Sequence, residues 1–225
     1  ELGKNPLASE CLNCSAPDTG NMEVLERVGT KEQKKRWLEP LLNGEIRSAF
    51  AMTEPGVASS DATNISTTAV ADGDEWVLNG EKIYVTDGQR SDTLVVWATL
   101  DKSLGKAAIK SFIVEKGTPG CEVIRLEHKL GIRASDTASI SFNNCRIPKA
   151  NILGSPDIAT DAEGRKKAFG GVMQTFDNTR PPVAAMAIGV SRAALDLSRA
   201  LLQKEGVELK FDKKPPNLSA IEAEL

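Results

Sequence analysis

Apolar positions recur every three or four residues at the two ends of the chain and about every second residue between them. Near the N-terminus, Met22, Leu25 and Val28 share one side of a helix that starts at Asp18-Thr-Gly-Asn and stops at Gly29. Thr30-Lys-Glu-Gln opens a second helix. The Thr30 hydroxyl can accept a free N–H and Gln33 can reach back, while Trp37, Leu38 and Leu41 form its apolar side and Gly44 ends it. From about Ile46 the period shortens. Glu75-Trp-Val-Leu, Lys82–Thr86, Thr93–Leu100, Lys110–Glu115, Gly120–Leu126 and Thr137–Phe142 are rich in Val, Ile, Thr and aromatics, as strands are. Asp72-Gly73 and Asn79-Gly80 tolerate positive φ and predict tight hairpin turns on either side of Glu75–Leu78. After Pro156 the pattern is helical again. Arg165–Asn178 is one segment, Pro181-Pro182 should interrupt or kink it, and Val183, Met186, Val190, Ala194, Leu197 and Leu201 then form one apolar face. Lys213-Lys-Pro-Pro-Asn is a break, and Ser219-Ala-Ile-Glu begins another turn. The predicted class is α+β: helical residues 1–46, a β-barrel or sandwich over 47–155, and helical residues 156–225.

Composition narrows the function. Of 225 residues, 40% are apolar and 26% charged, an ordinary globular mixture. Basic and acidic residues, 28 and 31 in number, are interspersed and leave a net charge of −3, which excludes a strongly basic nucleic-acid binder. No apolar run reaches the roughly 18 residues of a membrane span. The chain opens on Glu1-Leu-Gly-Lys-Asn-Pro, without a signal pattern or an initiator Met, so it is expected to begin inside a longer protein, and its compartment is not fixed. Cys11-x-x-Cys14 has the spacing of half a zinc site, which needs a second close pair. Cys121, Cys145 and the single histidine, His128, supply no second close pair, so reduced thiols and no metal are expected. His128 lies in Leu126-Glu-His-Lys and reads as a surface residue, with no Ser/His/Asp constellation around it. Neither Gly-x-Gly-x-x-Gly after a strand nor Gly-x-x-x-x-Gly-Lys-Ser/Thr occurs, so any nucleotide is not held in the Rossmann or P-loop manner.

Several segments, in order, resemble the acyl-CoA dehydrogenase family. They are Gly29-Thr-Lys-Glu-Gln-Lys-Lys-Arg-Trp-Leu with Gly44; Phe50-Ala-Met-Thr-Glu-Pro-Gly-Val-Ala-Ser-Ser-Asp; and Trp76-Val-Leu-Asn-Gly-Glu-Lys-Ile-Tyr-Val-Thr-Asp-Gly. Leu130-Gly-Ile-Arg-Ala-Ser-Asp-Thr with Phe142 and Ile147-Pro148 follows, then Thr175-Phe-Asp-Asn-Thr-Arg-Pro-Pro-Val-Ala-Ala-Met-Ala-Ile-Gly. Together they cover most of residues 20–200. Ala16-Pro-Asp-Thr-Gly-Asn-Met-Glu-Val-Leu and Val57-Ala-Ser-Ser-Asp-Ala-Thr-Asn resemble the branch called acyl-CoA dehydrogenase family members ten and eleven. The resemblance implies a central β barrel between a helical N-terminal part and a C-terminal helical bundle that mediates oligomerisation, as a dimer or tetramer. It also implies FAD, a fatty acyl-CoA substrate and an electron-transfer flavoprotein as acceptor.

Residue roles follow from the same resemblance. Thr53 and Thr86 match threonines that donate to the flavin; Phe50, Ala51, Met52 and Val85 lie in the flavin-cradling segments; Tyr84 stands where most relatives place a tryptophan on the ring. Ser60, or Ser59 because the loop carries an extra residue, matches the serine at the thioester tail. Asp177, Asn178, Thr179 and Arg180 match the group near the pantetheine and nucleotide of CoA. Taken singly, Thr53 and Thr86 would be strand or cap residues, Tyr84 a core residue and Arg180 a solvated helix-end charge. The resemblance also exposes two departures. The glutamate base that some relatives carry directly before the helix arginine is replaced by Thr179, so the base is expected beyond residue 225; and Glu205 replaces an arginine that reaches the flavin diphosphate of a neighbouring subunit. Rival readings are an acyl-CoA oxidase, a flavin monooxygenase-like relative, or a non-catalytic partner subunit of the same fold.

Overall fold

The computed structural model describes residues 1–58, 61–159, 162–207 and 220, and of residues 6 and 162–176 the backbone alone. Helices α1 (Pro6–Cys11) and α2 (Asp18–Val28) come first. Next, α3 (Lys31–Gln33) passes through a π-helical segment, Lys34–Leu38, into α4 (Glu39–Leu42). The Thr30 capping box forms in both directions: Gln33 N donates to Thr30 Oγ1 at 3.2 Å, and Thr30 N to Gln33 Oε1 at 2.9 Å. Pro40 has no N–H for the Arg36 carbonyl, and Glu39 N donates to Lys34 O five residues back, which widens the turn.

Eight strands follow: β1 (Ser48–Ala51), β2 (Thr68–Asp72), β3 (Glu75–Thr86), β4 (Thr93–Thr99), β5 (Ile109–Glu115), β6 (Cys121–Leu126), β7 (Thr137–Pro148) and β8 (Ile152–Leu153). Helix α5 (Ala162–Lys204) closes the sequence of elements. The strands form one mixed sheet in the order β6-β7-β3-β2-β4-β5-β8, with β1 parallel to β4. Among the described residues nothing joins β6 to β8. The expected β region with flanking helices is present, but as an open mixed sheet rather than a closed barrel.

Two compact units are distinguished: residues 13–180, and residues 1–12 with 181–225. In the first, β4 is buried along its whole length. Leu94, Val96 and Ala98 join Leu78, Phe112, Ile140 and Ile147 in the main core, while Val95 and Ile113 meet Leu25, Trp37 and Leu41 from the helices. Helix α2 is docked on β1 by polar contacts. Asp18, 1% exposed, accepts from Ser48 N and Ser48 Oγ, both at 2.7 Å, and from Arg47 Nη1 at 2.7 Å. In the second unit, Gly3 and Gly189 touch backbone to backbone; a Cβ on Gly189 would stand 2.3 Å from the Gly3 carbonyl carbon. Lys4 pairs there with Asp196 at 3.1 Å.

Two local expectations are corrected. Asp72-Gly73 does turn the β2–β3 hairpin, with Gly73 at φ +57°. Asn79-Gly80 does not turn: Glu75–Leu78 and Lys82–Thr86 are one strand, and Asn79-Gly80 lies opposite a bulge at which β7 carries the extra residue. Gly80, at φ +152°, is needed because a Cβ there would come within 2.4 Å of Thr67 Oγ1. Gly80→Ala is therefore expected to cost about 1–3 kcal/mol, seen as a lower denaturation midpoint; an unchanged midpoint would show that Thr67 moves aside freely. Pro181 and Pro182 fall inside α5 instead of interrupting it, so the helix continues past the backbone donors they remove. Its predicted apolar face is solvent-facing in this chain, with Val183, Val190, Leu197 and Leu201 at 56%, 44%, 61% and 53% exposure.

Candidate active site

Strand alternation decides what β1 offers. Ala49 and Ala51 are wholly buried in the main core, so Phe50 and, just beyond the strand, Met52 point the other way. They join Trp97, Ile65 and Ile109 in a small second cluster, where the Phe50 and Trp97 rings lie 5.9 Å apart. The far end of β3 faces this segment. Between Lys82 and Val85, β3 carries one residue more than β7. The bulge holds Tyr84 at φ +57°, leaves the residue 63% exposed, and returns Val85 to the core at 1% exposure. A non-glycine residue in the left-handed region stores strain and points to a functional position. Ile83 N donates to Thr53 O at 2.9 Å, tying the two segments together.

Between them lies a cavity of about 500 Å³, lined by Ala16, Pro17, Phe50, Met52, Thr53, Ala62, Ile83, Tyr84, Thr86 and Arg180. That is the size of a small-molecule site. Its walls are mostly apolar. Among the described residues, the half-buried hydroxyls of Thr53 and Thr86 have no hydrogen-bond partner, and Arg180 is the only charged residue of the lining. The cleft suits a flat, largely apolar ring system with polar atoms on its rim, which fits an isoalloxazine.

A lysine and a glutamate hold this wall from behind. Lys82 is fully buried, and its Nζ donates to Glu54 Oε1 at 2.8 Å and to Met52 O at 2.9 Å. Glu54, 5% exposed, also accepts from Ser66 N at 2.6 Å and Thr67 N at 2.9 Å. Burial pushes the Lys82 ammonium down to about 8, with Glu54 pulling against that shift. Burial alone would raise Glu54, but Lys82 and the Thr67 N–H outweigh it and hold the carboxyl below the usual range. Both groups are charged at neutral pH.

Comparison with known proteins agrees with this geometry. The family model described as acyl-CoA dehydrogenase, middle domain, matches residues 49–145. The chain belongs to the acyl-CoA dehydrogenase family. It is 43% identical over 170 residues to the mitochondrial short-chain specific acyl-CoA dehydrogenase of Bos taurus, covering 76% of this chain and 39% of that protein. It is 38% identical over 227 residues to the acryloyl-CoA reductase (NADH) of Anaerotignum propionicum, covering 99% of this chain and 53% of the relative. The solved butyryl-CoA dehydrogenase of Megasphaera elsdenii superposes with a TM-score of 0.76 at 32% identity, covering 99% of this chain and 54% of its own. The chain thus spans about half the length of the relatives it matches, and the family's middle domain runs here from β1 to β7.

Within this family member, the residues singled out from the sequence are distributed as follows. Phe50, Met52, Thr53, Tyr84, Thr86 and Arg180 line one cavity. Ala51 and Val85 are not among its lining residues, and their side chains lie in the core. Ser59 and Ser60 lie outside the described residues. Asp177 and Arg180 form an exposed pair at 3.0 Å, Asn178 Nδ2 donates to Glu23 Oε2 at 3.0 Å, and Thr179 is half-buried. Glu205 follows α5, its N–H donating to Leu201 O at 3.1 Å. Four neighbours were missed: Ala16, Pro17, Ala62 and Ile83. The Glu54–Lys82 pair was missed too. Its signal was a lysine at an inward-facing strand position, which demands an acidic partner. Outside the site, Cys121 and Cys145 are free thiols pushed up by burial to about 12 and about 11, and His128 is exposed as expected.

Proposed function

We propose that the protein containing this chain is an FAD-dependent acyl-CoA dehydrogenase, which removes hydrogen across the α,β bond of a fatty acyl-CoA to give the trans-2-enoyl-CoA. The observation that carries this reading is the cavity between the end of β1 and the bulged end of β3, with two unpaired threonine hydroxyls on an apolar wall. When bound, FAD supplies the acceptor for the hydride from Cβ. The chain's own residues bind and orient. Thr53 and Thr86 donate to the ring's polar rim, Phe50, Ala51, Met52 and Val85 form the cradle, and the strained Tyr84 presents its ring to the flat ligand. Ser59 or Ser60 holds the thioester tail, and Asp177, Asn178, Thr179 and Arg180 hold the CoA portion. An electron-transfer flavoprotein takes the electrons, and the whole protein is a homo-oligomer. Residues 47–155 are its middle domain, with 1–46 and 156–225 belonging to its helical domains.

A second reading has one observation in its favour: the relative matched along 99% of this chain is a reductase, of acryloyl-CoA. The same site then runs the reaction in the direction of saturation. Steady-state turnover with an enoyl-CoA and NADH, against turnover with an acyl-CoA and an electron-transfer flavoprotein, separates the two.

Thr86→Val tests the flavin assignment. Losing one donor to the ring rim is expected to weaken FAD binding by about 1–3 kcal/mol, roughly 5- to 150-fold in the dissociation constant. The measurement is FAD titration of the stripped intact protein; equal affinity in wild type and variant would remove Thr86 from the site.

A further inference from the structure

We propose that Lys82 and Glu54 are a positioning pair for the ligand cavity: their buried contact sets the spacing between the Thr53 wall and the Ile83–Thr86 wall. The inference rests on the flavin reading above. The two walls come from segments about 30 residues apart in sequence. The first has no sheet pairing where it meets the cavity, and the second is paired to β7 at Lys82, Val85 and Thr86 but not at Ile83 and Tyr84. The 52–54 segment lies beyond the end of β1 at Ala51, and β3 is bulged between Lys82 and Val85. What joins them is one backbone bond, Ile83 N to Thr53 O at 2.9 Å, and the Lys82 ammonium, which grips Met52 O at 2.9 Å and Glu54 Oε1 at 2.8 Å. Glu54 extends the grip to a third strip of chain through the N–H groups of Ser66 and Thr67. Thr67 in turn is pressed against Gly80, two residues before Lys82. Three segments therefore meet at one buried charge pair directly behind Met52, Thr53 and Ile83, which line the cavity.

Stability alone does not explain a pair so placed. Well-packed apolar side chains of similar volume commonly replace a buried ion pair without loss of stability. They do not reproduce directed bonds to a specified carbonyl and two specified N–H groups. A charged pair with three fixed partners specifies where the 52–54 backbone lies, and a bound group's affinity depends on how well its supporting residues are held.

The experiment uses the intact protein, stripped of flavin and titrated with FAD, with two variants. In Lys82→Met/Glu54→Leu the pair is replaced by apolar residues. The circular dichroism spectrum is expected to be unchanged, while the FAD dissociation constant rises about 10- to 100-fold, the range that supporting residues carry at other bound groups. The visible band of the flavin that still binds is expected to shift, a signature that a merely structural role would not move. In Glu54→Asp the charge is kept but the carboxylate drawn back by one methylene, and a smaller rise is expected, between wild type and the double variant. This second variant decides the matter if the first does not fold. Unchanged affinity and an unchanged band in a folded variant would overturn the positioning role and leave the flavin reading intact. Failure of the wild-type protein itself to bind FAD would overturn both.

Discussion

Lys82→Met is expected to destabilise the sheet by about 3–5 kcal/mol, because it strands a carboxylate that the fold has already removed from water. Glu54 is 5% exposed and would keep its bonds from Ser66 N and Thr67 N but lose the one cation paired with it among the described residues. The Met52 carbonyl would lose its Nζ donor as well. The loss is read from the denaturant midpoint by fluorescence of Trp76 and Trp97, both buried in the sheet. Adding Glu54→Leu to the variant should restore most of the stability, since an apolar pair carries no desolvation cost. A single variant as stable as wild type would mean that water reaches Glu54, against the burial seen here.

The pair also gives the protein a definite acid response. The Glu54 carboxyl is held below its ordinary value of 4.5 in the folded chain. Its stabilisation is therefore complete above about pH 4.5 and is lost as pH falls through the lowered folded value, where the unfolded chain binds the proton first. Lys82 has the same sign of shift from a different cause. Burial brings it from 10.5 to about 8, so its contribution falls as pH drops from 10.5 towards 8 and stays constant below.

What was legible in the sequence and what was not divides by range. The Thr30–Gln33 capping box, the Asp72-Gly73 hairpin and the stops at Gly29 and Gly44 depend on residues within four positions of each other, and all formed. Asn79-Gly80 carries the same local chemistry as a turn. What keeps it extended is pairing on both sides, Asn79 with Thr68 of β2 and Gly80 with Phe142 of β7, and the close approach of Thr67 leaves no room for a Cβ at Gly80. The Lys82–Glu54 contact is likewise invisible to periodicity, because it joins residues 28 positions apart and puts a lysine where alternation calls for an apolar side chain. Whether a run of strands closes into a barrel depends on edge pairing of β6 and β8, which no turn signal encodes. For the site, the two threonines, Phe50, Met52 and Tyr84 were found through motif resemblance. The strain at Tyr84 came only from the backbone: nothing in Lys-Ile-Tyr-Val-Thr says that one residue is extra.

The second large effect concerns the 225-residue chain by itself, which is expected not to dehydrogenate acyl-CoA even when FAD is added. Removing the α proton of a thioester near neutral pH needs a positioned base, which typically contributes about 10²–10⁴-fold. The cavity lining contains hydroxyls, apolar groups and Arg180, and no carboxylate or imidazole among the described residues. Glu54 stands behind the wall, but its carboxylate is occupied by Lys82 and two backbone N–H groups and is held in its ionised, weakly basic form. Asp177 is 66% exposed at its side chain, is bound to Arg180 at 3.0 Å, and is not among the residues lining the cleft. Thr179, the residue before Arg180, has no basic group to offer. Anaerobic mixing of the FAD-loaded chain with acyl-CoAs of several lengths should therefore leave the flavin absorbance unbleached. The protein that contains the chain, loaded in the same way, should bleach with at least one of them. Bleaching by the isolated chain would place the base within these residues, and Asp177 would then be the first to replace by asparagine.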